Sequence, residues 1–448
     1  MASRNALPSE FDPERKPGWV AVAALGISIV AAGQYVAWNF GLASGGWLGM
    51  LLAVGFAAAL YITLSLCMAE LSAMFPSEAA TFEFVRQGFG ARLALIAGWC
   101  VVVEFVCAGS ALAAFVAAYA HAGIGLHPYW LMLFLYVASI GLQLVGARET
   151  IKLTQVMAVI AVGGILLTLV ALIVSVPERP FGRSLSQLSF PGVTQSAAAA
   201  WAAVPFSVAM FLGIEGVALA AEEVRDPRRS IPRGMFAGVG FQCLFAIMLV
   251  GFLPLTLDLS GLSHTDDPIA FAWRTMGQSG TRGSCAKAAL VCALVALAAS
   301  FFSVMFAYSH QVHALARAGF LPRAFASVGS HRTPILALLA PAIVSMGLAA
   351  FCDAELLIVI MVFGATASYA LIFLAHLRLR RIAPDVPRSY RVPAVWIPVL
   401  GILLAAATFI ACVRNQVAGG VLAGLVIAAL TGTSLLVAWQ RSRGAHAA

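Results

Sequence analysis

The sequence predicts an all-α polytopic membrane protein with twelve membrane-crossing helices. Three observations predict it. The 448-residue chain is 61% hydrophobic and only 10% charged, where a soluble domain carries about 25% charged residues. Its mean hydropathy is +0.94. Its apolar residues fall into runs of the length that crosses a bilayer as a helix, about 20 residues, with basic residues at the ends of the runs.

The first run covers residues 18–42 and follows a polar stretch, MASRNALPSEFDPERKPGW. That run is too long for a cleaved apolar core and carries no cleavage site, so no signal peptide is expected. The second to sixth runs cover 47–74, 93–120, 127–146, 152–176 and 198–221. The seventh to twelfth cover 235–257, 285–316, 334–352, 355–378, 394–413 and 417–439. Only a hinge holding Asp353 and Glu355 divides the ninth from the tenth. The longest outer connections, 177–197 and 258–284, are too small to form domains. The expectation is one membrane domain over 18–440, with tails at 1–17 and 441–448.

A net charge of +8 would suggest nucleic acid in a soluble protein. Here the basic residues read as topology signals, and no nucleic-acid partner is expected. With the N-terminus inside, 21 of the 27 Lys and Arg residues fall in inner segments. The positive-inside rule then puts both termini in the cytoplasm. The plasma membrane, a bacterial inner membrane, is the expected location, with the lipid bilayer as surrounding partner. The eight cysteines lie mostly inside apolar runs without a CxxC pair and read as small packing residues. No nucleophile triad, phosphate loop or metal-ligand cluster is evident, so no enzyme, metal or cofactor is expected. His310 and His313 form an H-x-x-H without the Glu of a zinc-protease helix, and both are expected to be solvated.

One acid stands out. Glu104 lies in the middle of the third run, and a carboxylate at that depth costs roughly 2.5–3.5 kcal/mol on insertion scales. Its neighbours at helical spacing are Ala97, Cys100, Val101, Cys107, Ala108 and Ala111, a small-residue face suited to packing inside a bundle. Two readings follow: a structural acid bonded to another helix, or a counter-ion for an amine-bearing substrate. The first run is interrupted at Gly33 and Gln34, and the sixth at Gly213, Glu215 and Gly216. Glycines there suit close packing, or broken helices of an inverted repeat meeting at a midplane site. Glu215 beside the second break favours a site. Gln34 would bond a substrate hydroxyl or satisfy a carbonyl freed by the break. Tyr35, Trp38 and Phe211 would wall the pocket and offer cation–π contacts, or simply pack. Glu70 belongs to an inner gate or charge network with Glu222, Glu223 and the cluster from Arg225 to Arg233. Ser300 and Ser303 are expected to bond their own helix backbone, and no sodium site is predicted.

The segment FLGIEGVALAAEEVRDPRRSIPRG, residues 211–234, resembles the sixth-helix signature of the amino acid–polyamine–organocation permease superfamily. That signature runs Phe-x-Gly-Phe-Glu, Glu-Glu, Asn/Asp-Pro-x-Arg and Ile-Pro. AELSAMFPSEAATFEFVRQGFG (69–90) looks like the end of the second helix and its loop. SHQVHALARAGFLPRAF (309–325) is similar to the loop after the eighth, and VFGATASYALIFLAHLRLRRIAPDVPRSYRVP (362–393) to the tenth and its basic exit. The resemblance implies a leucine-transporter-like fold, with inverted five-helix repeats over about 18–176 and 198–378 and extra helices over 394–439. Within the superfamily the chain looks most like the ethanolamine permease branch, on AAGQYVAWNFGL (31–42), VEFVCAGSALA (103–113) and FLGIEGVALAAEEV. It departs at Ala79 and Ala80, where Gly-Gly is usual, and at His310, where Arg is common. It also carries Ala31, Ala32, Gly33 and Gln34 where many amino acid carriers have Gly-Ser-Gly. Gly-Ser-Gly frees backbone amides for an α-carboxylate, and the present run offers fewer.

Three functions are compatible with these residues. One is secondary transport of a small, ethanolamine-like amine by alternating access, with Glu104, Glu215 and the first break binding it. The second is amino acid transport on the same scaffold. The third, an amine sensor, would call for a signalling domain or tail beyond the last helix. Glu104 and Glu215 are the candidate proton carriers. Orientation can be checked directly: a cysteine placed near Arg229 should be labelled by an impermeant reagent from the cytoplasmic side only, and labelling from outside intact cells would reverse the topology.

Overall fold

The computed structural model describes residues 18–77, 79–125, 127–175, 193–219, 221, 224–256, 262, 265–276, 280–329 and 333–446. All regular structure among them is helical. The chain runs α1 (Trp19–Ala31), a 3-10 turn (Ala32–Gln34), α2 (Trp38–Met74), α3 (Ala80–Phe89), α4 (Ala91–Ile124), α5 (Pro128–Val145) and α6 (Ala147–Ser175). It continues with α7 (Val193–Phe211), α8 (Gly216–Leu219), α9 (Pro227–Thr256), α10 (Pro268–Met276) and α11 (Gly280–Arg317). The last helices are α12 (Ile335–Phe351), α13 (Ala354–Ile382), α14 (Trp396–Asn415) and α15 (Val417–His446).

Ten helices among the described residues are long and apolar enough to cross a membrane, α7 and α8 counting as one. Two shorter apolar helices, α1 with its turn and α12, coincide with the first and ninth apolar runs. The hinge at Asp353 is present between α12 and α13. Some boundaries differ from the sequence reading. The run 18–42 is divided, and its second part joins the next run as α2, bent at Gly46 where φ is +64°. Helix α15 continues to His446, past the expected end of the membrane domain at 440. Two short helices, α3 and α10, occupy stretches read as connections, because ten or fewer residues of mixed polarity give no membrane-length signal. The N-terminal tail and most of the 177–197 connection lie outside the described residues.

Helix α4 is the most enclosed span, packed against α11, α13, α12 and α3. Helix α1 packs against α9, α6 and α11, and α2 lies along α7 and α9. Exposed apolar side chains form an outer belt on α5, α6, α14 and α15, including Trp130, Phe134, Val159, Leu403 and Leu425. A belt of this size suits lipid rather than water.

The basic loops gather at one end. Arg233 lies over the Trp19 ring at 5.9 Å, and Arg378 over Phe89 at 4.8 Å. Arg441 Nη1 donates to the Gly319 carbonyl at 3.2 Å, and Ser389 Oγ donates to the Arg228 carbonyl. At the opposite end Asn39 Nδ2 donates to the Thr265 carbonyl at 2.7 Å, and Arg274 pairs with Asp267 at 2.8 Å.

Both interruptions are present, and they face each other. The first spans the 3-10 turn and residues 35–37, where Ala37 takes φ +76°. That conformation costs a residue with a Cβ about 1–3 kcal/mol, and such strain collects at functional sites. The second spans 212–215, with Gly213 at φ +110°. Gly33 abuts the other break so closely that a Cβ there would stand 1.9 Å from the Met210 carbonyl oxygen. A Cβ on Gly213 would in turn meet Ile29 Cγ2 at 2.5 Å. Gly33→Ala should therefore lower the melting temperature of the purified protein, since overpacking against backbone costs about 1–3 kcal/mol. Gly55→Ala, a site with open space around it, should melt at or above the parent.

Candidate functional site

A broken helix inside a bundle leaves carbonyls without partners, and no lipid or bulk water can pair them. Side chains from neighbouring helices do so here. Ser300 Oγ of α11 donates to the Ser28 and Ile29 carbonyls at 2.8 and 3.0 Å. Tyr119 Oη of α4 donates to the Tyr35 carbonyl at 2.7 Å, and Trp38 Nε1 to the Gln34 carbonyl at 3.2 Å. Tyr35 Oη donates to the Ala161 carbonyl of α6 at 2.8 Å. At the second break Gln242 Nε2 of α9 donates to the Met210 carbonyl, and the Gly213 N–H donates to Glu215 Oε1 at 3.1 Å.

These bonds revise several expectations. Tyr35 and Trp38 are fully enclosed, and their polar atoms tie the first break to its surroundings. Ser303 bonds its own helix at Ala299, as expected, but Ser300 reaches across to α1 because the break exposes carbonyls within its reach. Of the two tasks open to Gln34, a substrate hydroxyl or a carbonyl freed by the break, the structure shows it bonded to no carbonyl among the described residues, and the Met210 carbonyl at the second break is held by Gln242, a residue the sequence reading passed over. Ala31 and Ala32 are buried in the α1 turn.

Glu104 has no exposed surface, and neither carboxyl oxygen has a hydrogen-bond partner among the described residues. Glu215 and Tyr369 stand close enough to act on it as hydrogen-bonding neighbours, though short of a well-formed bond, and Tyr61 is within electrostatic reach of both acids. Glu215 is 2% exposed, and its Oε2 also lacks a partner. The Tyr61 and Tyr369 hydroxyls hydrogen-bond at 3.2 Å, and the Tyr61 ring stacks on Phe211 with centroids 5.5 Å apart. The structure thus brings together Glu104, Glu215 and Phe211 from the sequence reading and adds Tyr61 and Tyr369. Both tyrosines, and Gln242, are lone polar groups in apolar runs, the signal that singled out Glu104. No Lys or Arg is found among the described buried residues. Two buried carboxyls without a basic side chain are costly to ionise unless a cation or a proton offsets their charge.

Glu70 belongs to a different arrangement at the basic end. It is fully buried and accepts from His376 Nε2 at 3.0 Å, Arg380 Nε at 3.2 Å, Arg388 Nη1 at 2.7 Å and the Val392 N–H at 2.8 Å. A charge network was expected, but with the Arg225–Arg233 cluster. The partners instead come from α13 and the segment after it, because the 383–395 segment folds back over the end of α2. Glu222 and Glu223 lie outside the described residues. His313, expected in solvent, is buried with Nδ1 3.3 Å from the Phe325 carbonyl, while His310 is half-buried against Phe306.

The family model for amino acid permeases matches residues 18–435. The methylthioribose transporter of Bacillus subtilis (strain 168) is 26% identical over 76% of this chain and 75% of its own length. The branched-chain amino acid permease of the same organism is 23% identical over 89% and 88%. The vacuolar cationic amino acid transporter 4 of Arabidopsis thaliana is 26% identical over 84% and 65%.

The two acids should respond differently to neutralisation. Glu70→Gln strands Arg388 and Arg380 beside an uncharged amide, and breaking a buried pair costs about 3–5 kcal/mol. The expected result is a large fall in the melting temperature of the purified protein, with no comparable fall for Glu104→Gln, which has no ion-pair partner to strand.

Proposed function

The chain belongs to the amino acid permease family, within the amino acid–polyamine–organocation superfamily, and from that premise we propose that it carries a small organic amine across the membrane by alternating access. It is a multi-pass membrane transporter of a small molecule and not an enzyme. The finer reading is a domain of twelve spans in the plasma membrane, with the basic end in the cytoplasm. Helices α1 to α6 and α7 to α13 form its two inverted repeats, and α14 and α15 are the added pair.

The observation that carries the substrate class is the unpartnered Glu104 carboxyl beside Glu215, with no Lys or Arg among the described buried residues. An ammonium group entering this space loses its hydration, and a carboxylate there offsets much of the loss. Phe211 and the tyrosine pair supply aromatic faces beside it. A second observation bears on what the substrate lacks. One amide at the second break, the Gly213 N–H, already binds the protein's own Glu215. A helix-break amide of this kind is what would hold a substrate carboxylate. The site therefore suits an amine without one, and an ethanolamine-like molecule is the favoured candidate. Amino acid transport is the second reading, favoured by the amino acids named for the two permease relatives.

Glu215 joins the cation site to a backbone that must move during alternating access, and Glu104 sits on a helix that stays enclosed. Glu104→Gln should fold normally and bind ethanolamine at least about 30-fold more weakly, the effect of removing one partner of a buried charge pair. Glu215→Gln should impair transport more than binding. Calorimetry on the purified protein and uptake into proteoliposomes measure the two. Unchanged ethanolamine affinity in Glu104→Gln would make Glu104 a structural acid, and uptake of an amino acid but no amine would favour the second reading.

A further inference from the structure

Gln34 lies in the first break, 1% exposed, and neither its Nε2 nor its Oε1 has a hydrogen-bond partner among the described residues. A buried primary amide left unpaired destabilises the protein that contains it, so such groups nearly always have partners. The structural tasks near Gln34 are already assigned. Its own carbonyl accepts from Trp38, the Tyr35 carbonyl from Tyr119, the Ser28 and Ile29 carbonyls from Ser300, and the Met210 carbonyl from Gln242. No freed carbonyl is left for the Gln34 amide among these.

The 3-10 turn that carries Gln34 packs against α7, α9 and α11, at the point where Gly33 meets Met210. Gln242 is anchored at the same crossing by its amide nitrogen, and its Oε1 is a second buried acceptor without a partner. The crossing therefore holds an uncharged donor and two uncharged acceptors. The carboxyl pair holds the site's charge. An amide matches a hydroxyl or another amide, each of which both donates and accepts. It offers no charge to a carboxylate, and an alkyl group would leave it unpaired.

We infer that Gln34, next in the chain to the Gly33–Met210 crossing that Gln242 also reaches, reads the uncharged polar end of the substrate, so that the site selects a small amine bearing a hydroxyl or amide over an alkyl amine of the same size. The inference rests on the carboxyl pair as the ammonium site. Gln34 is then a specificity residue. Gln242 is a positioning residue that holds the Met210 carbonyl.

The test uses the full chain, purified, with Gln34→Met and, as a second shape, Gln34→Leu. Binding is measured for two matched pairs, ethanolamine with n-propylamine and L-serine with L-2-aminobutyrate. Which pair binds the parent decides between the amine and amino acid readings. The ratio within the binding pair tests Gln34. The parent should prefer the hydroxylated member by about tenfold or more, because its rival leaves the amide unpaired. In both variants that preference should vanish while affinity for the alkyl member holds or rises. A parent-like preference in the variants overturns the inference. So does a fall of the empty protein's melting temperature in both variants, because removing an amide that has no protein partner should leave stability unchanged or higher.

Discussion

Interrupting a membrane helix frees backbone groups that lipid cannot solvate, and every freed carbonyl must then find a donor from another helix. In this bundle the donors are single side chains on α2, α4, α9 and α11: Trp38, Tyr119, Gln242 and Ser300. They pair carbonyls at both breaks. Much of the remaining architecture follows from this requirement. α1 must lie against α11 for Ser300 to reach it, α4 must pass the first break for Tyr119 to reach Tyr35, and α9 must flank the second for Gln242 to cap Met210.

The same chemistry is used twice with opposite outcomes. Glu70 and Glu104 are both fully buried carboxyls. Glu70 is surrounded by donors from His376, Arg380, Arg388 and Val392, which fills its lone pairs and makes it a structural clamp. Glu104 has no such surroundings, and its close polar neighbours are another acid and a phenol. Burial alone does not make a carboxyl a clamp; the inventory of donors around it does.

Much of this was legible in the sequence. Run length and basic flanks mark the spans, Gly33 and Gly213 mark the breaks, and Glu104 marks the enclosed face of α4, because each is a local violation of an apolar pattern. What was not legible is pairing between distant segments. Tyr61 and Tyr369 are 308 positions apart, and Glu70 reaches partners more than 300 positions away. Periodicity carries no information about which helices touch. Glu70 was therefore grouped with the Arg225–Arg233 cluster, which shares its end of the bundle, and not with Arg380 and Arg388. Gln242 was not singled out, since nothing in its run says that its amide reaches the Met210 carbonyl.

The meeting of Gly33 with the Met210 carbonyl has a mechanical meaning. Side chains that interlock must ride over one another, or change rotamer, when two helices slide. At residue 33 there is no side chain to catch. The two interrupted segments touch there as smooth backbone surfaces, so sliding at this point requires no rotamer change at residue 33. What ties the crossing is instead the set of hydrogen bonds around it, Gln242 to the Met210 carbonyl and Ser300 to the end of α1. At the basic end the Glu70 clamp and the strap at 383–395, fastened by Ser389 to the start of α9, add further ties between helices. The crossing of the two breaks is thus joined by close backbone contact and single hydrogen bonds, while the basic end is joined by one carboxylate that holds two arginines.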